Sequence, residues 1–300
     1  MKKLILLILV QLMAVAVLTS CDEFLDTEPF DKLVPNTFFQ TEKDLELYTN
    51  SFYQRMIPGG LEVVQSDELG EFTSKNQSPT FIAGSYSSVN EGAWSWTDLR
   101  NINYFLENYD NEVIPEEARN HYAGIARFFR AWFYFDKVKR YGDVPWYDKT
   151  LSTDDESLYK ARDPREMVMD NVMADLNFAV ENIRDKKDNS ASIITRQVAL
   201  AFKSRVALFE GTYRKYHTEL GLAGSTDLLR EAASAAKIVM DAGKYSLYNT
   251  GSPESDYRSL FISENPVSQE VMLAVVYNNA LRRWHNITWK FNSATYGARW

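Results

Sequence analysis

Ala126-Arg-Phe-Phe-Arg-Ala-Trp-Phe-Tyr-Phe135 and then Tyr141-Gly-Asp-Val-Pro145 carry the strongest structural signal in this chain. Around the first run, Tyr122, Ile125, Phe128, Phe129, Trp132, Phe133, Phe135 and Val138 place apolar groups on nearly every side of a helix. A helix that is apolar all round belongs at the centre of a helical protein. It begins after Pro115 and runs to about Arg140. Gly142 stops it and Pro145 prevents its resumption.

Helical patterns lie on both sides of this one. The first opens at Thr41, an N-cap with Asp44 three residues later, and turns Leu45, Tyr48, Phe52 and Met56 to one face. The second covers about Thr97 to Tyr109, with Leu99, Ile102, Phe105, Leu106 and Tyr109 inward. After the central helix, Asp163 reads as an N-cap and Pro164 as the first helical residue of the next, striped by Val168, Val172, Leu176, Ala179 and Ile183. Another starts near Thr195 with Val198, Phe202, Val206 and Phe209 inward. The sixth, Thr226 to Ala242, is rich in alanine, and its small side chains let a neighbour approach closely. Beyond Gly251 the helical rhythm stops, and Glu270 to Tyr277 reads as one buried strand. The fold class is mostly α, with helices paired in a tetratricopeptide-like repeat scaffold, long loops and a few short strands. No strict 34-residue consensus accompanies it.

The start of the chain addresses it out of the cytoplasm. Lys2 and Lys3 precede an apolar run from Leu4 to Leu18, and Leu18-Thr19-Ser20 leads into Cys21, the only cysteine. This is a secretory signal peptide, and its end resembles a lipoprotein lipobox, in which the chain is cut before the lipidated Cys. The organisation expected is a signal peptide at 1–20, an extended leader at 21–40 and a helical domain at 41–300. That domain reads as cut short on its C-terminal side. No later stretch reaches the roughly 18 apolar residues of a spanning helix, so the membrane link is the lipid anchor alone. The chain has 300 residues and a net charge of -8, which becomes -10 without the two signal lysines. That balance argues against a nucleic-acid partner. With Cys21 lipidated, no disulfide or thiol nucleophile remains.

Several segments together resemble the SusD/RagB family of Bacteroidetes lipoproteins. They are the leader Cys21-Asp-Glu-Phe-Leu-Asp-Thr-Glu-Pro29, the central helix and turn quoted above, Arg162-Asp-Pro-Arg-Glu166 with Asp175-Leu176, Ala232 to Lys237, Gly243-Lys-Tyr-Ser-Leu247, and Glu270-Val-Met-Leu-Ala274. They occur in family order. One departure is Ile125, where the family usually has Glu. The resemblance implies a non-catalytic, surface-exposed outer-membrane lipoprotein of polysaccharide utilisation. It would bind oligosaccharide or polysaccharide and deliver it to a SusC-type TonB-dependent transporter. Asp22 and Glu23 resemble the surface-export signal of such lipoproteins. Family members run well past this length, so the chain would cover their helical half.

Sugar binding needs flat aromatic faces for C–H surfaces and polar groups for hydroxyls. Aromatics in loops are therefore the candidates, since those in helical stripes belong to the core. Phe81 and Tyr86 lie in the long polar loop from Ser66 to Ala93, and Trp94 and Trp96 close it. Trp284, Trp289 and Tyr296 lie late in the chain, with Arg283 and Asn286 among them. The acidic run Asp154-Asp155-Glu156 reads as a solvated face. His121, His217 and His285 show no metal spacing, and no nucleophile or phosphate-loop motif occurs. No catalytic residue, metal or cofactor is expected. Three alternatives stand beside glycan binding: a peptide-binding member of the same family, an α-helical glycoside hydrolase with two unidentified carboxylates, and a scaffold that binds only protein.

Overall fold

A computed structural model describes residues 38–60, 63, 82–85, 87, 89 and 92–287. The chain divides into a unit ending at Gln40 and a unit from Thr41 to Trp300. The second holds every helix described here: α1 (Glu42–Met56), α2 (Thr97–Asn108), α3 (Glu116–Tyr141), α4 (Arg165–Asn182), α5 (Arg196–Tyr216), α6 (Ser225–Asp241) and α7 (Pro253–Ile262).

The apolar belt of α3 does what its sequence implies. Phe128, Phe129, Ala131 and Tyr134 are fully buried, and α3 packs against α1 and α2 on one side and α4 on another. From there each helix packs on the next, α4 on α5 and α5 on α6. This is the paired, tetratricopeptide-like stacking expected. Phe52 meets Phe105 and Phe129 edge-on, with centroids at 6.2 and 5.8 Å, which joins α1, α2 and α3. Small residues set the closest approach. On α6 only Ala232 and Ala235 are buried, and a Cβ on Gly211 of α5 would lie 2.9 Å from Leu229 Cγ.

Two buried charge clusters cross these contacts. Arg130 of α3 donates through Nε and Nη2 to both oxygens of Asp175 of α4, at 2.6 and 2.8 Å. Arg165 of α4 and Arg214 of α5 both grip Glu210, whose side chain is wholly buried. Burying a carboxylate costs several kcal/mol unless it is paired and fully hydrogen-bonded, and here each one is held bidentately. Ile125 is core, 5% exposed.

The helix starts follow the sequence with one exchange. Thr41 Oγ1 accepts from Asp44 N while Asp44 accepts from Thr41 N, a complete capping box. Thr195 caps α5 by accepting from Val198 N. Asp163 does not cap α4. Residue 163 pairs with Val144 in an isolated antiparallel bridge, and its carboxylate accepts from Trp146 N at 2.7 Å and Lys160 Nζ at 2.6 Å. Burial alone would raise this carboxyl, but those donors hold it below its usual range. Pro164 takes the cap position, and Asp143 satisfies the first helical N–H by accepting from Arg165 N. Gly142, at φ 71°, turns the chain so that Asp143 can reach it.

Two expectations beyond Gly251 are corrected. Helix α7 exists there: Pro253 opens it, and Asp256 accepts from Thr250 N and Ser252 N to hold its start. The segment 270–277 is not a buried strand. Residues 271–277 are half-buried, and the segment makes single backbone bonds, such as Ala274 N to Ala191 O at 2.7 Å, instead of a ladder. Among the described residues β-structure is limited to two isolated bridges.

Candidate ligand-binding cleft

Trp94 and Trp96 come together at the start of α2, edge to face with centroids 5.1 Å apart. Their roles differ. Trp96 is half-buried and rests on Phe133, Tyr134 and Tyr147, so it fastens α2 to α3. Trp94 is 39% exposed, with Tyr141 edge-on at 4.8 Å and the Arg162 guanidinium over its ring at 5.1 Å.

Both rings line a cleft of about 630 Å³, within the usual size range of ligand pockets. Tyr147, Leu151 and Leu158 form its apolar part. Among the described residues Arg100, Lys149, Lys160 and Arg162 supply its charge, and no Asp or Glu lines it. The loop carrying Tyr147 is held rigidly. Asn103 of α2 donates to the carbonyls of Tyr147 and Lys149 at 2.9 and 3.1 Å, and Tyr147 N donates to Tyr134 Oη at 2.6 Å. Arg100 donates to Leu151 O, and Glu107 accepts from Thr150 N at 2.6 Å. Burial pushes the Tyr134 phenol up, so it remains a neutral hydrogen-bonding group. A wall fixed in this way loses little freedom on binding.

The late candidates lie at a second, smaller hollow. Arg283 and Trp284 line about 220 Å³ together with Tyr277 and His285. Trp284 is 64% exposed and donates from Nε1 to Asn279 Oδ1 at 2.9 Å. Asn286 is exposed and is not among the lining residues. Phe81, Tyr86, Trp289 and Tyr296 lie outside the described residues, as does Cys21. Reading the sequence missed Tyr147 and the four cations. The available signal was slight: Lys160-Ala-Arg162 is a short basic run before Pro164, whereas Tyr147-Asp-Lys149 is charge-neutral and Arg100 lies on α2.

Two of the histidines and one residue of the acidic run have structural partners. His121 Nδ1 accepts from Arg184 N at 3.2 Å, and burial with the nearby guanidinium lowers its pKa to about 4. His217 pairs with Glu219. Of the acidic run, Asp155 caps a short 3-10 turn by accepting from Ser157 N. Among the described residues no group of His, Cys, Asp and Glu could hold a metal ion.

The sequence model of a family described as starch-binding and associating with the outer membrane matches residues 47–198. The chain belongs to the SusD-like family. A SusD-like protein of Formosa agariphila is 28% identical over 186 residues, covering 53% of this chain and 34% of that protein. A SusD-like protein of Bacteroides ovatus is 24% identical over 85% of this chain and 46% of its own length. The crystal structure of a SusD-like protein from Bacteroides fragilis superposes with a TM-score of 0.65 at 25% identity, over 84% of this chain and 48% of that one. This SusD-like chain thus spans less than half the length of these relatives. The segments quoted for the resemblance from Ala126 to Asp175 lie inside the matched range.

Proposed function

We propose that this chain is part of a cell-surface lipoprotein that captures glycan and passes it to a SusC-type TonB-dependent transporter, without cleaving it. The observation that carries the reading is the cleft at Trp94: an exposed indole lining the same cleft as Tyr147, whose loop is pinned by Asn103 and Tyr134, in a chain of a starch-binding family. A sugar's C–H face can lie on the indole while nearby donors reach its hydroxyls. Hydrolysis of a glycosidic bond ordinarily needs two carboxyl groups across it, whereas the described residues lining this cleft offer four cations and one amide, Asn103. A laminarin-binding SusD-like protein has the same fold at 18% identity, a likeness that carries the scaffold and leaves the sugar open. The family resemblance and the signal sequence support outer-membrane attachment through Cys21 and delivery to the transporter. In this reading the stacked helices are the scaffold, and the loops at Trp94 and beyond Leu281 build the ligand face.

Affinity electrophoresis and calorimetry against plant, host and microbial polysaccharides and peptide mixtures test the proposal. Trp94→Ala should weaken binding of the glycan that is found about 5- to 10-fold and leave the helical signal intact. Trp96→Ala should instead lower stability by about 3 kcal/mol, because its indole fastens two helices. Heat from peptides with none from glycans, or released reducing sugar, would overturn the reading.

A further inference from the structure

Resting on the glycan-binding reading, we propose that the cleft selects an anionic glycan, one bearing carboxylate or sulfate groups, with Arg100 and Arg162 as its anion contacts. The chain carries a net charge of -8, yet among the described residues this cleft is lined by four cations and no carboxylate. A surface negative overall repels polyanions, so a local wall of one positive sign creates a site where they would concentrate.

Two of the four cations already have partners. Lys160 Nζ lies 2.6 Å from Asp163 and also donates to Trp146 O, and Lys149 Nζ lies 3.5 Å from Asp155. The two arginines differ. Among the described residues neither has a carboxylate partner. Arg100 donates to the carbonyl of Leu151, and Arg162 makes one long bond, 3.5 Å, to Tyr141 O. A guanidinium carries five N–H donors, so each retains a free edge. Both side chains belong to exposed residues that line the cleft.

Their geometry suits a sugar acid or a sulfate ester. The planar fork of Arg matches the paired oxygens of carboxylate or sulfate better than the point charge of Lys does. Arg162 stands over the Trp94 ring, so an aromatic surface and a guanidinium sit side by side in the same stretch of cleft wall. Neutral glucose polymers offer such a fork only hydroxyls, and an unpaired arginine adds little to their binding.

The test compares binding of the purified protein to polygalacturonate, chondroitin sulfate and neutral laminarin and starch, at low and high salt. The expected result is tight binding of an anionic polymer that weakens as salt screens the charges. The two acidic polymers separate carboxylate from sulfate as the recognised group. The double variant Arg100→Gln/Arg162→Gln should lose about 10-fold or more in affinity for that polymer, with an unchanged circular dichroism spectrum. Arg100→Lys/Arg162→Lys keeps the charge without the fork and should fall between the two. It also covers the case in which the Gln variant folds poorly. Lys237→Gln on α6 is the control for nonspecific charge and should change nothing. Preference for a neutral glycan, or anionic binding indifferent to the double substitution, overturns this inference and leaves the glycan-binding reading standing. Binding of no glycan overturns both.

Discussion

At the residue scale, His121 shows how position sets chemistry. Its Nδ1 accepts the Arg184 N–H, which is possible only while that nitrogen carries no proton. Burial first, and the Arg184 charge second, lower its pKa from 6.5 to about 4. A histidine lowered in the folded state contributes stability that is complete above the unfolded value and is lost as pH falls toward the folded one, because the unfolded chain takes the proton first. Urea midpoints measured at pH 7 and pH 5 should therefore drop more for the wild-type protein than for His121→Asn, whose amide oxygen can accept the same N–H without titrating. Glu117, held below its usual range mainly by the Arg184 hydrogen bond, loses its contribution only at lower pH and equally in both proteins. Parallel midpoint curves would mean that His121 does not titrate as described.

Among the elements, the contact between α5 and α6 rests on what is absent at Gly211. A methyl there would meet Leu229 at Cγ, Cδ2 and the backbone N, at 2.9, 3.0 and 3.1 Å, and the backbone atom cannot swing aside. Alanine gains about 1 kcal/mol over glycine in a helix interior, while overpacking of this kind costs about 1–3 kcal/mol. Gly211→Ala should thus be neutral to destabilising by up to about 2 kcal/mol in urea unfolding, and a clear gain in stability would show that the helices are not in close contact there. This packing was half legible in sequence. The alanines of α6 announced a close neighbour, and the apolar stripes of α1 to α5 marked their inward faces. Phe209, placed on the α5 stripe, sits at its margin against Phe135 and Tyr213 and is 36% exposed. The start of α4 shifted by one residue because Asp163 was taken by the bridge to Val144, a tertiary pairing that no local propensity encodes. Helix α7 is short and only Asp256 of it is buried, so it lacks the stripe by which the others were found, although Ser252-Pro253-Glu254 is an ordinary opening.

For the whole molecule, the helices were legible and the cleft was not. A helix is encoded within one run of sequence, whereas the cleft draws on residues 94–103, 145–151 and 158–162, which meet only after α2 has packed on α3 and the turn at Gly142 has folded back. Loop aromatics pointed to Trp94, but only the short basic run Lys160-Ala-Arg162 hinted at a cation beside it, and nothing local pointed to Arg100. The proposed membrane attachment is read in the opposite way, from the first residues of the sequence alone. Among the described residues no helix is long and apolar enough to cross a membrane. In the proposed reading, acyl chains on Cys21 carry the outer-membrane association. A single chain binds only marginally, at about 0.8 kcal/mol for each buried CH₂, so two or three chains on one residue would be needed for a firm anchor. Cys21→Ala should then move the protein from the outer-membrane fraction to a soluble or uncleaved form. Mass spectrometry of the wild-type N-terminus should find a peptide beginning at Cys21 with added acyl mass. An unmodified Cys21, or a Cys21→Ala protein that stays at the outer membrane with its signal removed, would transfer the anchoring role to contacts made by the folded domain with its membrane partner.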